Sequence, residues 1–345
     1  MMTSATPVQL RKPRTDSSPL WDVVLGLLPQ RTLLLAYDLK LFPFLAEQPH
    51  SIAEIGVAFQ LDDRAVFAIL SVLRSIGLVT EQAGQYSLTP LAEDYCLESS
   101  PTYLGGYLDW VIGRDSLVSF ANFKESILSG GKTVDRGEEF FNAFAEQATL
   151  ARSFSYAMHG HSMGSALAWP ELIDLSQYKR FLDIGGGSGA HAISAVHQWP
   201  NLQATVLDLP AVCEVAQEFI SRYGLDSQIN THSSDIWQEP FPVADVHFYA
   251  DIYHDWSPEQ GRFLTQKSFD RLPSGGRLII HEMLYNDSKS GPLTVANYNL
   301  GMLLSMKGQQ YSGRELSTLL SKVGFLDVEV IPTTGYWSIV TGCKP

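Results

Sequence analysis

Apolar residues fall three and four apart through LWDVVLGLLPQRTLLLAYDLKLFPFL (residues 20–45), the spacing that lines one face of an α-helix, so packed amphipathic helices are expected there. In the next stretch, residues 51–96, Ser51 is placed to cap a short helix, and Asp62 or Asp63 a longer one. LVTEQAGQYSLTP then reads as a hairpin turning at Gly84. Helix, turn, helix and hairpin in that order predict a winged helix. Residues 101–170 keep the helical pattern, rich in aromatic residues and methionine, with a loop at SGGKTVD. From about Tyr178 the texture changes. RFLDIGGGSGAHAISAVHQWP supplies an apolar strand, a glycine turn and a helix, and QATVLDLP, INTHSSDIW, ADVHFYADIYH and RLIIHEML supply four more strands with helical segments between them. Strands alternating with helices predict an α/β domain with a parallel, doubly wound sheet, whose ligands sit at the carboxyl ends of the strands.

Composition narrows the function classes. The chain has 345 residues, 45% of them hydrophobic, enough for about two domains. Its longest apolar runs fall short of the roughly 20 residues that a membrane-spanning helix needs, and no hydrophobic signal core opens the sequence, so a cytoplasmic location and no membrane partner are expected. Cys96, Cys213 and Cys343 are scattered and form no disulfide or zinc pattern. A winged helix suggests DNA, but between Ser51 and Ser99 two arginines stand against seven acidic residues, and the whole chain carries a formal charge of -13. Phosphate contacts need the opposite balance, so a nucleic-acid partner is not expected and the ligand should be small.

The glycine turn is the first chemical signal. Asp183, Gly185, Gly187 and Gly189 alternate in DIGGGSG directly between a strand and a helix, where glycine lets the backbone pass close under a ligand. Twenty-five positions after Asp183, Asp208 ends the second strand, where a carboxylate accepts hydrogen bonds from ribose hydroxyls. Gly185, Gly187 and Ala190 also satisfy a dinucleotide fingerprint. Asp183 inside the strand end, and Asp235 with Ile236 where an adenine would lie, favour S-adenosylmethionine over NAD.

FLDIGGGSGA, VLDLP, SDIW, YHDWSPEQ, LPSGGRLIIHEML and KGQQYSGRELSTLLSKVGF, in this order and spacing, resemble the small-molecule O-methyltransferases that include caffeate-type and acetylserotonin-type enzymes. The resemblance runs from about Leu20 to the C-terminus. It implies a Rossmann-like domain over residues 171–345, a winged-helix dimerisation domain over 18–100, a helical linker with pocket residues over 101–170, and a mobile leader over 1–17. It implies a homodimer, and S-adenosylmethionine held by Asp183, Gly185, Gly187, Asp208, Leu209, Ser234, Asp235, Ile236 and Asp251, with Phe144 and Ser162 on the covering helices. His254 becomes the general base for an acceptor hydroxyl, a task suited to imidazole because its ordinary pKa is near neutrality. Glu282 orients it, and Gln310 falls where plant-type relatives place a glutamate. Asp251 and Gly301 also depart from the pattern, standing where relatives place an arginine near the cofactor and an asparagine on substrate. Asp255 and Trp256 are expected as structural neighbours.

Trp110, Met158, His161, Tyr298, Met302 and Met306 are candidates for lining a flat aromatic or polyketide-like acceptor, since aromatic and thioether side chains sandwich planar rings. No metal is expected. The alternatives are a C-methyltransferase with a metal at His159, His161, His254 and Asp255, and a relative that binds the cofactor without transferring methyl.

Overall fold

The structure, a computed structural model, describes residues 11–130 and 138–345. Most of the SGGKTVD loop lies outside the described residues. The chain divides into two compact units, one ending at Ser100 and the other beginning at Pro101.

In the first unit the apolar periodicity produces α1 (Ser18–Leu25), α2 (Leu27–Asp38) and α3 (Leu41–Glu47). Next come α4 (Ile52–Phe59), α5 (Asp63–Ser75), the antiparallel hairpin β1 (Val79–Gln82) and β2 (Gln85–Leu88), and α6 (Pro90–Cys96). Ser51 caps α4 through a reciprocal box with Glu54, and the Asp62 carboxylate accepts the Ala65 N–H to start α5. Gly84 at the hairpin tip has φ +80°, the left-handed region that a two-residue turn requires.

The second unit opens with α7 (Gly105–Gly113), α8 (Phe120–Leu128), α9 (Glu138–Asn142) and the long α10 (Ala148–Ala168). The chain then alternates: β3 (Arg180–Ile184), α11 (Ala190–Gln198), β4 (Gln203–Asp208), α12 (Pro210–Arg222), β5 (Ile229–Ser233), β6 (Val246–Ala250), α13 (Pro258–Arg271) and β7 (Arg277–Met283). It closes with α14 (Leu293–Ser305), α15 (Gly313–Val323), β8 (Leu326–Pro332) and β9 (Trp337–Cys343). The sheet order is β5-β4-β3-β6-β7-β9-β8. The expectation of a parallel sheet needs one correction: β3 to β7 are parallel, but β9 runs antiparallel between β7 and β8, so the seven-stranded sheet is mixed.

Fully buried Trp169, Phe181, Val206 and Phe248 pack one face of the sheet, and Leu182, Tyr249, Ile280 and Leu316 the other. Burying each such large side chain contributes about 1.5–3 kcal/mol. Strand order reverses about β3, which has β4 on one side and β6 on the other, so a crevice opens at their carboxyl ends. No helix among the described residues is long and apolar enough to cross a membrane.

Candidate active site

The glycine turn follows β3 directly. Gly185, Gly187 and Gly189 all have φ between +57° and +79°, where a side chain would strain the backbone. A Cβ on Gly185 would collide with the Ile252 side chain, whereas Gly187 faces open space. The Asp208 carboxylate accepts the Gly187 N–H at 2.9 Å and the Leu209 N–H at 2.7 Å, which ties the turn to the end of β4. Burial pushes the Asp208 carboxyl up to about 6 against those two donors, and pushes Asp183 up to about 7 against the Ala192 N–H. Asp183 Oδ1 is buried without a hydrogen-bond partner.

The remaining cofactor candidates divide into two groups. The Ser234 N–H donates to the Asp208 carbonyl at 2.9 Å, so the loop after β5 lies alongside the end of β4. Asp235 accepts from the Trp237 N–H at 2.9 Å and Gln238 Nε2 at 2.7 Å, and Ile236 packs partly buried against the sheet. Phe144 is buried among Phe140, Phe141 and Phe154 and packs beside Leu209 and Val212, which brings the covering helices to the β4 end. Ser162, on α10, is partly buried, and its carbonyl accepts the Ser165 hydroxyl.

His254 lies in a 3₁₀ turn, Tyr253–Asp255, one residue beyond the pair that follows β6. The turn ends where Ser257, Pro258 and Gln260 start α13 with a capping box. Glu282, near the end of the adjacent β7, accepts the Tyr253 N–H at 2.8 Å and the His254 N–H at 3.3 Å through Oε1. Its Oε2 accepts from His254 Nδ1 at 2.7 Å. A carboxylate only accepts, so Nδ1 carries a proton toward Glu282 and Nε2 is the nitrogen that faces away from it. That nitrogen lies 3.4 Å from Asp255 Oδ1. Burial by itself would lower the His254 pKa, but the charges of Glu282 and Asp255 and the Glu282 hydrogen bond outweigh it and push it up to about 10. Asp255 is pushed up to about 7, by burial first and then by the neighbouring carboxylates, with His254 opposing.

Asp251 faces the same imidazole from the other side. Its Oδ1 lies 3.8 Å from His254 Nδ1 and its Oδ2 3.4 Å from His161 Nε2. Burial works to raise Asp251, yet the imidazoles of His161, His254 and His281 hold its carboxyl below the ordinary range.

Gln310 is buried, and neither atom of its amide has a hydrogen-bond partner among the described residues. His254 and Glu282 are therefore a dyad that Gln310 does not join directly. Among the acceptor candidates, Tyr298 meets His254 edge-on at 5.5 Å and lies nearly parallel to His161 at 6.0 Å. Met302 is buried on α14, and the Met306 N–H donates to its carbonyl at 2.7 Å. Met158 is partly buried on α10. Trp110 sits in the phenylalanine cluster, edge-on to Phe140 and Phe154, with the Arg114 guanidinium 3.1 Å above its ring. The four-residue metal set is not assembled: His159 turns to Ser188 Oγ at 2.8 Å and stacks on Phe219. Among the described residues, the group that could meet one ion is Asp251, His254 and Glu282.

Trp256 packs edge-on to Trp237 at 4.7 Å, as a structural neighbour. Asp255, expected in the same role, stands 3.4 Å from His254 Nε2. Tyr107 and Trp337, absent from the sequence expectations, lie 5.2 and 5.5 Å from the His161 ring. They sit 54 residues before and 176 after His161, and no local pattern marks them.

Residues 121–326 match the model of an O-methyltransferase domain, and residues 21–98 that of an O-methyltransferase dimerisation domain. The chain is 31% identical to the 3-hydroxy-5-methyl-1-naphthoate 3-O-methyltransferase of Streptomyces sahachiroi over 94% of each protein. It is 30% identical to the tetracenomycin polyketide synthesis 8-O-methyl transferase of Streptomyces glaucescens, covering 91% of this chain and 93% of that one. Its fold is similar to the crystal structure of human N-acetylserotonin methyltransferase in complex with SAM, with a TM-score of 0.80, 25% identity and coverage of 97% and 99%.

Proposed function

Because the chain belongs to the O-methyltransferase family and is a SAM-dependent O-methyltransferase, we propose that it methylates a hydroxyl of a flat aromatic or polyketide-like metabolite, with His254 as general base. The observation that carries this reading is the 2.7 Å contact from His254 Nδ1 to the buried Glu282, because it leaves Nε2 to receive the acceptor's proton. S-adenosylmethionine, when bound, supplies an electrophilic methyl group on a sulfonium.

The residues present fit that cofactor. Gly187 leaves the open cradle that a close-lying ligand needs, and Asp208 keeps lone pairs for ribose hydroxyls beside its two backbone donors. Asp183, Gly185, Leu209, Ser234, Asp235 and Ile236 stand at the carboxyl ends of neighbouring strands and would hold its other parts, with Phe144 and Ser162 covering it.

On the acceptor side, neutral His254 takes the hydroxyl proton onto Nε2 as the oxygen attacks. The carboxylates around it raise the basicity of His254, which favours taking a proton from a weakly acidic hydroxyl such as a phenol. The resulting imidazolium is held between Glu282 and Asp255. Holding nucleophile and methyl in line supplies most of the acceleration, and the base adds about 10²- to 10⁴-fold.

Tyr298, Met302, Met306, Met158 and the segment 101–170 would wall the acceptor. The relatives' named substrates, a hydroxynaphthoate and a polyketide, support a planar acceptor. Leu20, Trp21, Val23, Val24, Leu27 and Leu28 of α1 and α2 are each at least 56% exposed, an apolar face that supports a homodimer through the dimerisation domain.

The test is S-adenosylhomocysteine release with a screened phenolic acceptor. His254→Ala should lower turnover by about 10²- to 10⁴-fold with unchanged affinity for S-adenosylhomocysteine. Unchanged turnover would remove His254 from the chemistry.

A further inference from the structure

Asp251 stands at the ligand edge of the sheet, one residue beyond β6, and the next residue, Ile252, fills the space under Gly185 of the glycine turn. It is not a glycine, yet its φ is +53°, a conformation that aspartate tolerates better than most residues and that here delivers the carboxylate to the crevice. Its backbone N–H is held by the His281 carbonyl at 3.0 Å.

The two carboxylate oxygens have different surroundings. Oδ2 lies 3.4 Å from His161 Nε2. Oδ1 is buried without a hydrogen-bond partner, and His254 Nδ1, 3.8 Å away, already gives its proton to Glu282. A buried carboxylate oxygen needs a donor, and Oδ1 has none.

The surroundings add to that demand. Asp251, Asp255 and Glu282 all lie within 4 Å of one imidazole, and the charged partners of Asp251 among the described residues are histidines. His161 is surrounded by the rings of Tyr107, Tyr298 and Trp337. Aromatic walls beside an anionic floor favour a cation, and a compact cation with N–H donors satisfies both needs at once.

We propose that Asp251 is an ammonium-binding residue, its Oδ1 receiving a primary ammonium group that comes either from the amino-acid end of the bound cofactor or from the acceptor. The second source rests on the methyl-transfer reading above and would narrow the acceptor class to hydroxylated amines. The site then disfavours acceptors with a carboxylate at that position.

The test is calorimetry on the full-length protein. One pair of probes is S-adenosylhomocysteine against its deaminated analogue. The other is tyramine against 4-ethylphenol, with 4-hydroxyphenylacetate as the anionic control. In one pair the wild-type protein should prefer the amine by about tenfold to a hundredfold, the range of a charge-assisted hydrogen bond, and Asp251→Asn should erase that preference. Loss in the first pair assigns the ammonium to the cofactor, and loss in the second to the acceptor. The wild-type comparison stands without the variant, and the thermal unfolding midpoint reports whether Asp251→Asn folds. No amine preference in either pair, or a preference that survives Asp251→Asn, overturns the proposal. Methyl transfer is read separately, as S-adenosylhomocysteine release, so its success or failure is not confounded with this result.

Discussion

The two halves of the crevice are built from different materials. At the ends of β3 and β4 the ligand edge is mostly backbone: three glycines at positive φ, with Asp208 locked by two main-chain N–H groups. At the ends of β6 and β7 it is mostly buried side chains: an imidazole crowded by Glu282, Asp255 and Asp251. Backbone placement yields a rigid cradle whose chemistry is fixed by hydrogen bonds. The crowded imidazole yields a site whose chemistry depends on where a few protons reside. The first half suits holding a constant ligand, the second moving a proton, and substitutions should separate the two.

The largest effect after loss of His254 itself is expected from Glu282→Gln. Removing the charge that fixes the Nδ1 proton should cut turnover about a hundredfold or more and move the rise of activity with pH to lower values, with S-adenosylhomocysteine affinity unchanged. A cofactor-affinity loss of similar size would mean the two halves are not separable. Asp208→Asn should do the reverse. It should weaken S-adenosylhomocysteine about tenfold to a hundredfold in calorimetry, and turnover at saturating cofactor should change much less. The smallest effect is expected from a chelator: dialysis against EDTA should leave turnover unchanged. Loss of turnover that a single divalent ion restores would place a metal at Asp251, His254 and Glu282.

The cradle was legible in the sequence because its signal is local. Alternating glycines after an apolar strand need positive φ wherever they occur, and Asp208 closes the next strand at a fixed spacing. Ser51 was equally legible as a cap, and Asp62 as one of two adjacent choices, since the requirement spans three residues. The antiparallel pair β8 and β9 was not. Leu326, Val328 and Val330 of β8 alternate with Asp327 and Glu329, yet none of the three is fully buried, so the strand's place depends on pairing with β9.

Contacts around the imidazole were harder still. His161 and Asp251 are 90 residues apart and meet because α10 packs on α11 and α12, the helices that follow β3 and β4. Asp255 was in view as a neighbour of His254, but its approach to Nε2 follows from the 3₁₀ turn, which no residue type announces. Trp110, offered for the acceptor, sits against Phe140 and Phe154 in a cluster that also holds Phe144, a neighbourhood that no local pattern announces.

The most direct test of the account is the pH dependence of kcat/KM for S-adenosylhomocysteine release by the wild-type enzyme. On the proposed reading the base is neutral His254, whose pKa is pushed up to about 10 by Glu282 and Asp255 against burial. Below that value the neutral fraction grows tenfold per pH unit, so kcat/KM should climb with near-unit logarithmic slope from pH 7 to beyond pH 9 for an acceptor that does not itself ionise in that range. A profile already flat above pH 7 would mean that His254 is an ordinary histidine or no base at all, and would contradict the account.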